Sequence, residues 1–298
     1  MRSPDFWVKS RPSNDLHDYE TMSAPTFPVG AKLFERPAQS YDLDPSVVGG
    51  ILSDPASPLH QMARLIPDGS KVLDVGAGNG IFAQILARTK PRVEVDGIEP
   101  NSGAADVARS HYRRFFHGAA ENFHTEIGVG KYDYLVLADV VEHLVDPVLF
   151  VTSLRPLLKK EGKILLSTPN VAFASVRIAL LNGDFDYVDS GILERTHLRF
   201  FTYSTLLRLI SAVGMHPERI CFLERNPFAT EIPIAQYSIG IADLVRLMRD
   251  DLASVYQFLV VLNQLPADTQ LECYGSRGNA FIAKYCLKRL LRVVRRPK

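Results

Sequence analysis

The sequence predicts an α/β protein built on a doubly wound, mostly parallel sheet. Three observations carry that expectation. Short β-branched runs alternate with helical stretches from Lys71 to about Thr168, the pattern of a parallel sheet covered on both faces. A strand, VLDV, runs into three glycines at alternate positions and then into a helix beginning near Ile81. Helix start and stop signals fall between the apolar runs, where crossovers need them.

In chain order, residues 1–45 carry Pro, Ser and scattered aromatics without a sustained period and read as an N-terminal arm or cap. The main domain, 46–286, contains KVLDVGA and IFAQILART, then VEVDGIEP, SGAADVARS, FFHGA, YDYLVLAD, PVLFVTSLRPLL and KILLSTP. Asp146 before Pro147 offers an N-cap and a favoured first-turn residue, and Gly162 stands where that helix is expected to stop. Thr202 is expected to cap the helix carrying Leu206, Leu207, Leu209 and Ile210, which Gly214 ends ahead of the strand RICFL. Two stretches, about 171–200 and 228–268, read as lid insertions. The second includes a helical region from about Ile234 to Leu265, longer than an ordinary crossover. GNAFIAKYCL then reads as a strand, and 287–298 as a basic tail.

With 298 residues, 46% of them apolar, the chain is long enough to bury a sizeable core. Lys plus Arg against Asp plus Glu is 34 to 33, so no global field selects a nucleic acid or an acidic partner. Cys221, Cys273 and Cys286 are far apart, odd in number and in no CxxC pattern, which argues against a disulfide framework and a thiolate zinc site. The N-terminus is polar and Pro-broken, and no stretch reaches about 18 consecutive apolar residues. A cytoplasmic protein, neither secreted nor membrane-spanning, is the expectation.

The segment VLDVGAGNG, Val72 to Gly80, supplies close backbone approach and a helix N-terminus, the setting in which an anionic or polar ligand is bound. It departs from the dinucleotide fingerprint, because the position three after Gly78 is Ile81, so a nicotinamide dehydrogenase is the weaker reading. Asp74-Val75-Gly76-Ala77-Gly78-Asn79-Gly80 resembles motif I of class I S-adenosylmethionine-dependent methyltransferases, over roughly Val72 to Leu223. The resemblance implies a seven-stranded Rossmann-like sheet and S-adenosylmethionine as cofactor. Glu99 stands 25 residues after Asp74 (99 minus 74), where an acid accepts hydrogen bonds from both ribose hydroxyls. The resemblance further implies that Gly76, Ala77 and Gly78 pass the methionine part, with Asn79, Gly80 and Pro100 in the same cofactor set. By the same likeness Ala120 and Glu121 border the adenine, and Ala138 and Asp139 lie near the sulfonium.

The next signal is DVVEHL. In a helical turn Asp139, Glu142 and His143 share one face, just beyond the carboxyl end of a strand where open α/β sheets bind ligands. Two carboxylates and an imidazole make a first shell for Mg²⁺ or Mn²⁺, and His197 in RTHLRFFT is a fourth candidate ligand. With STPN, this D-x-x-E-H … H layout is similar to metal-dependent O-methyltransferases of small-RNA 3′ ends. Its first part also resembles catechol O-methyltransferases of the ubiquinone pathway, which have Glu where this chain has Asp139. Three readings stay open: a metal site, a metal-free general base at His143 or His197 with Asp139 beside it, and a structural role.

Between PNVAF and FFTYST lies a segment dense in acids and aromatics, from which Asp186, Tyr187, Arg195 and Arg199 are candidate substrate contacts. GDFDYVDSGILERTHLRFFT resembles bacterial methyltransferases of polysaccharide pathways, which implies O-methylation of a sugar hydroxyl in a glycan. An RNA end, a quinone-type or other small-molecule acceptor, and a non-catalytic cofactor-binding adaptor are the alternatives; self-association is left open. The C-terminal run from Lys284 to Lys298 holds seven cations and no acid, which suits peripheral contact with the anionic inner face of a membrane.

Overall fold

A computed structural model describes residues 45–275. Apart from Pro45, the expected arm lies outside the described residues, as do GNAFIAKYCL and the tail at 287–298. Helices α1 (Pro45–Ser53) and α2 (Pro58–Leu65) precede β1 (Lys71–Val75), α3 (Ile81–Thr89), β2 (Glu94–Glu99), α4 (Ser102–Ala108) and β3 (Arg114–His117). Then come α5 (His124–Ile127), β4 (Tyr132–Ala138), α6 (Pro147–Leu154), β5 (Leu158–Pro169) and α7 (Ala174–Leu181). The chain continues through α8 (Tyr203–Ala212), β6 (His216–Glu224), α9 (Ile241–Met248), β7 (Val255–Asn263) and β8 (Gln270–Gly275). No helix among the described residues is long and apolar enough to cross a membrane.

The strands form one mixed sheet in the order β3-β2-β1-β4-β5-β7-β6-β8. The pairings from β3 to β5 are parallel, β7 runs antiparallel to both β5 and β6, and β8 lies parallel to β6. Eight strands replace the expected seven, since β8 extends the far edge. Side chains alternate between two cores, as a sheet covered on both faces requires. Leu73 and Val75 of β1 and Leu135 and Leu137 of β4 enter one core, while Val72 and Val136 enter the other.

The stretch read as a helical insertion holds β7 instead. Phe258, Val260 and Leu262 pack on one face of the sheet, and Leu259 and Val261 on the other. A central strand buried on both sides is apolar at every position, and periodicity alone cannot tell it from a buried helix. Only α9 and one 3₁₀ turn, Ile234–Gln236, are helical there.

Helix punctuation is mostly as expected. The Asp146 carboxylate accepts from the Leu149 N–H at 2.9 Å, and Thr202 forms a reciprocal capping box with Thr205. Gly214, at φ +64°, follows the end of α8. Gly162 is different. The helix α6 ends at Leu154, a 3₁₀ turn (Arg155–Leu157) leads straight into β5, and Gly162 lies inside that strand. A Cβ there would stand 2.9 Å from the Tyr132 carbonyl oxygen, so this glycine permits close strand approach.

A third, smaller core lies apart from the sheet faces. It includes Phe173, which precedes α7, Val176 of α7, Ile192 and Leu193, and Leu244 and Leu247 of α9. Glu231 fastens this layer to the sheet, accepting from the Ile192 N–H and from the Tyr256 hydroxyl, each at 2.9 Å. His197, four residues beyond Leu193 of this core, brings its ring to 4.7 Å from that of His143, which follows β4.

Candidate active site

The glycine loop is tied to the neighbouring strand. The N–H groups of Gly76 and Ala77 both donate to the Ile98 carbonyl at 2.9 Å, which draws the loop across the end of β2. At Gly76 (φ +79°) an added Cβ would meet a Val140 methyl at 2.8 Å, whereas at Gly78 (φ +53°) it would enter open space. The first glycine makes room for the adjacent turn, and the second keeps the cleft clear.

That cleft has a volume of about 900 Å³. One end is bordered by Glu99, Pro100, Asn101, Ala120 and Glu121, and the other by Asp139, Val140, His143 and Leu144. A smaller hollow of about 290 Å³ adjoins it through Gly76, Gly78 and Asp139, and is lined by Asp74, Ala77, Asn79 and Ala138. The structure thus brings the expected cofactor residues around two joined cavities; Gly80 caps α3 behind them, at φ +82°.

Glu99 is held in place at both oxygens. One accepts from the Gly78 N–H and the other from the Asn101 N–H, each at 2.8 Å, which leaves each a lone pair for a ribose hydroxyl. Asp74 is buried, with 2% of its surface exposed, and accepts from the Tyr112 hydroxyl at 2.6 Å. Tyr112 reaches it by lying across Gly97, where a Cβ would sit 2.8 Å from the ring. Burial pushes the Asp74 carboxyl up to about 7, against the opposing hydrogen bond from Tyr112 and with a further push from the Glu99 charge. A buried acid beside an open hollow, a ribose-ready carboxylate and a glycine facing empty space together fit S-adenosylmethionine, whose amino and sulfonium groups are cationic.

Beyond β4 the expected four-ligand cluster is rearranged. Asp139 takes a left-handed backbone, φ +56°, and its carboxylate turns to the Ser167 hydroxyl, 2.7 Å away, and to Gln257. The expected single helical turn is therefore broken at its first residue, and Asp139 stands outside the metal-capable group. Glu142 and His143 follow on a 3₁₀ turn, and His197 comes in from the lid. Ligand atoms of Glu142, His143 and His197 all lie within 4.8 Å of one another. The backbone N–H groups of Leu198 and Arg199 donate to the Glu142 carbonyl at 2.8 and 2.9 Å, which holds the two segments together.

The Glu142 side chain is 1% exposed; one oxygen accepts from Thr168 at 3.2 Å and the other has no partner. Burial, then the Asp139 charge, push its carboxyl well above the usual range. An unpartnered buried oxygen is costly unless something pairs with it, so the site fits a divalent cation. The His197 Nδ1 lies 2.9 Å from the Ile192 carbonyl and so must donate, which leaves Nε2 bare. Burial lowers the proton affinity of this ring. Two imidazoles and one carboxylate, without Asp139, favour Mn²⁺ over Mg²⁺, which prefers an all-oxygen shell.

The candidate substrate residues divide. Arg195 lines the cleft and is paired with Asp189 at 2.6 Å. Arg199 donates to the Val145 carbonyl, and Asp186 and Tyr187 are exposed and stand apart from the cleft lining. Sequence reasoning missed Thr196, which lines the cleft beside His143, and Gln257, which holds Asp139 from β7. Nothing in the sequence pointed to Gln257, since its strand was read as helix.

A family model described as a methyltransferase domain matches residues 52–218, more than half of the chain. The ubiquinone biosynthesis O-methyltransferase of Aromatoleum aromaticum is 28% identical over 200 residues, covering 61% of this chain and 81% of that protein. The protein of the same name from Vibrio cholerae is 28% identical over 167 residues, covering 54% of this chain and 66% of its own length. Among solved structures, a Thermotoga maritima protein described as a SAM-dependent methyltransferase, possible histamine N-methyltransferase, superposes with a TM-score of 0.50. It is 17% identical and covers 74% of this chain and 92% of that one, a likeness of fold alone. None of these relatives is a polysaccharide-pathway enzyme by name, so the expected sugar specificity gains no support from them. With its glycine loop, a Glu99 carboxylate held at both oxygens and a family match over residues 52–218, the chain belongs to the methyltransferase domain family, as an enzyme of the class I, S-adenosylmethionine-dependent type.

Proposed function

We propose that this enzyme methylates a phenolic hydroxyl on a small dihydroxyaromatic acceptor. The observation that carries the reading is the Glu142–His143–His197 group on the wall of the cofactor cleft. It is supported by apolar residues on the same side, Val140, Leu144, Phe150 and Leu198, which suit a ring better than a sugar, and by the names of the relatives above.

A phenol becomes a competent nucleophile as it loses its proton. S-adenosylmethionine, when bound, would supply an electrophilic methyl group, and Glu142, His143 and His197 would hold a divalent cation, which would make the acceptor hydroxyl easier to deprotonate. The chain's own residues do the rest. Glu99 and the glycine loop fix the nucleoside, and Leu144 and Phe150 exclude water beside the acceptor. In the absence of a cation, His143 accepts the phenolic proton, since it is the one exposed member of the group while Glu142 and His197 are buried.

Incubation with methyl-labelled S-adenosylmethionine and catechol is expected to place label on an aryl ether. Chelation is expected to abolish the transfer and Mn²⁺ to restore it. Absence of label in catechol and related hydroxyarenes, alongside labelled glycans, would contradict the acceptor class. Rates unchanged by chelation would remove the cation and leave His143 as the base.

A further inference from the structure

The cleft needs a histidine nitrogen without a proton, and the groups around His143 decide which nitrogen that is. His143 Nδ1 lies 2.9 Å from the Thr196 hydroxyl and 3.3 Å from the Thr196 carbonyl. The Thr196 hydroxyl donates its only proton to one oxygen of Glu194, and the Thr196 N–H reaches the same oxygen at 3.1 Å. With its proton committed, that hydroxyl can only accept from the imidazole. The carbonyl is an acceptor in any case. Both partners therefore require a proton on Nδ1, and Nε2 is left bare on a ring that lines the cleft.

We propose that Glu194 and Thr196 form a positioning pair that locks His143 in its Nδ1–H tautomer and so leaves Nε2 bare toward the cleft, for a cation or, without one, for the acceptor's proton. For its catalytic consequence the inference rests on the O-methyltransferase reading above. Glu194 does this work through Thr196, whose hydroxyl and backbone N–H both donate to it. The same Glu194 oxygen lies 3.8 Å from His197 Nε2, so one carboxylate borders the His197 ring directly and reaches His143 through Thr196. His197 has its own Nδ1 fixed by the Ile192 carbonyl, and the two rings stack edge to face at 4.7 Å. All of these lid groups lie within the span 192–197, so an ordered lid and a correctly protonated base arise together.

Nitrogen NMR of the imidazoles in the full chain tests the pair without any catalysis, with His143→Gln assigning the resonances. Above the imidazole titration range, His143 is expected to show the Nδ1–H pattern. Thr196→Val and Glu194→Ala are expected to move it toward the Nε2–H form, and Thr196→Ser to keep it. With catechol as acceptor, Thr196→Val is expected to lower kcat about tenfold or more while KM for S-adenosylmethionine stays within about twofold, and Thr196→Ser to recover the rate. An Nε2–H pattern in the unaltered protein, or an unmoved tautomer in both Thr196→Val and Glu194→Ala, would overturn the proposal. The expected tautomers without methylation of any hydroxyarene would support the pair and remove the proposed acceptor instead.

Discussion

Replacing His143 with alanine is expected to lower kcat for methyl transfer by a hundredfold or more, with S-adenosylmethionine affinity nearly unchanged. His143 lines the cleft from a 3₁₀ turn that follows β4, whereas Glu99 ends β2. It takes part in none of the three cores, and the residue is exposed, so the substitution leaves those cores intact and removes only its contacts with His197 and Thr196. Glu142→Ala is a poor substitute as a probe, because that side chain is buried against Thr168 and its loss leaves a cavity. Stopped-turnover assays with catechol, set beside calorimetric cofactor binding, separate the two effects. A loss of cofactor affinity equal to the loss in rate would place His143 in cofactor binding and deny it an acceptor-side role.

The second large effect concerns Asp74 and pH. Its carboxyl titrates at about 7 in the folded chain against an ordinary value of 3.8. The folded state therefore binds the proton more tightly than the unfolded one. Below 3.8 both states are protonated and the group has no effect on stability. As pH rises from there to about 7 the unfolded chain releases its proton first and stability falls, by roughly 1.4 kcal/mol for each unit of difference. Above 7 the loss is complete. Asp74→Asn keeps an acceptor for the Tyr112 hydroxyl and removes the charge, so the cofactor-free variant is expected to melt higher than the unaltered chain at pH 8 and equally at pH 4. Saturating S-adenosylmethionine, whose amino and sulfonium groups are cationic, is expected to flatten the slope of the unaltered chain but not of the variant. Parallel melting curves for the two proteins across this range would contradict the assignment.

Local chemistry explains which parts of the molecule were legible in the sequence. The run from Lys71 to Thr168 could be read because each crossover is short and the strands are short and apolar, and the helix ends at Asp146, Thr202 and Gly214 because each acts on its own neighbours. The joined cavities were legible for the same reason: Gly76, Gly78 and Glu99 sit at fixed places on one βαβ unit. β7 was hidden because burial on both faces erases the alternation that marks a strand. The acidic cluster was legible in composition but not in geometry. The left-handed backbone at Asp139 is stabilised by Ser167 and Gln257, which come from β5 and β7 and are remote in sequence. Such a tertiary override cannot be seen in six residues read alone. His197 joins Glu142 and His143 because the lid folds back on its own core, with Ile192 and Leu193 buried in it, and only the packed chain shows that Thr196 arrives beside them.

The central claim is that Glu99 and the loop before it hold the nucleoside of S-adenosylmethionine. Calorimetry with that compound and its demethylated product, on the unaltered chain, Glu99→Gln and Glu99→Ala, tests it most directly. One saturable site is expected, weakened modestly in Glu99→Gln and about a hundredfold in Glu99→Ala, the loss of two hydrogen bonds to a charged acceptor. No heat with either compound, or equal affinity in all three proteins while circular dichroism shows them folded, would contradict it.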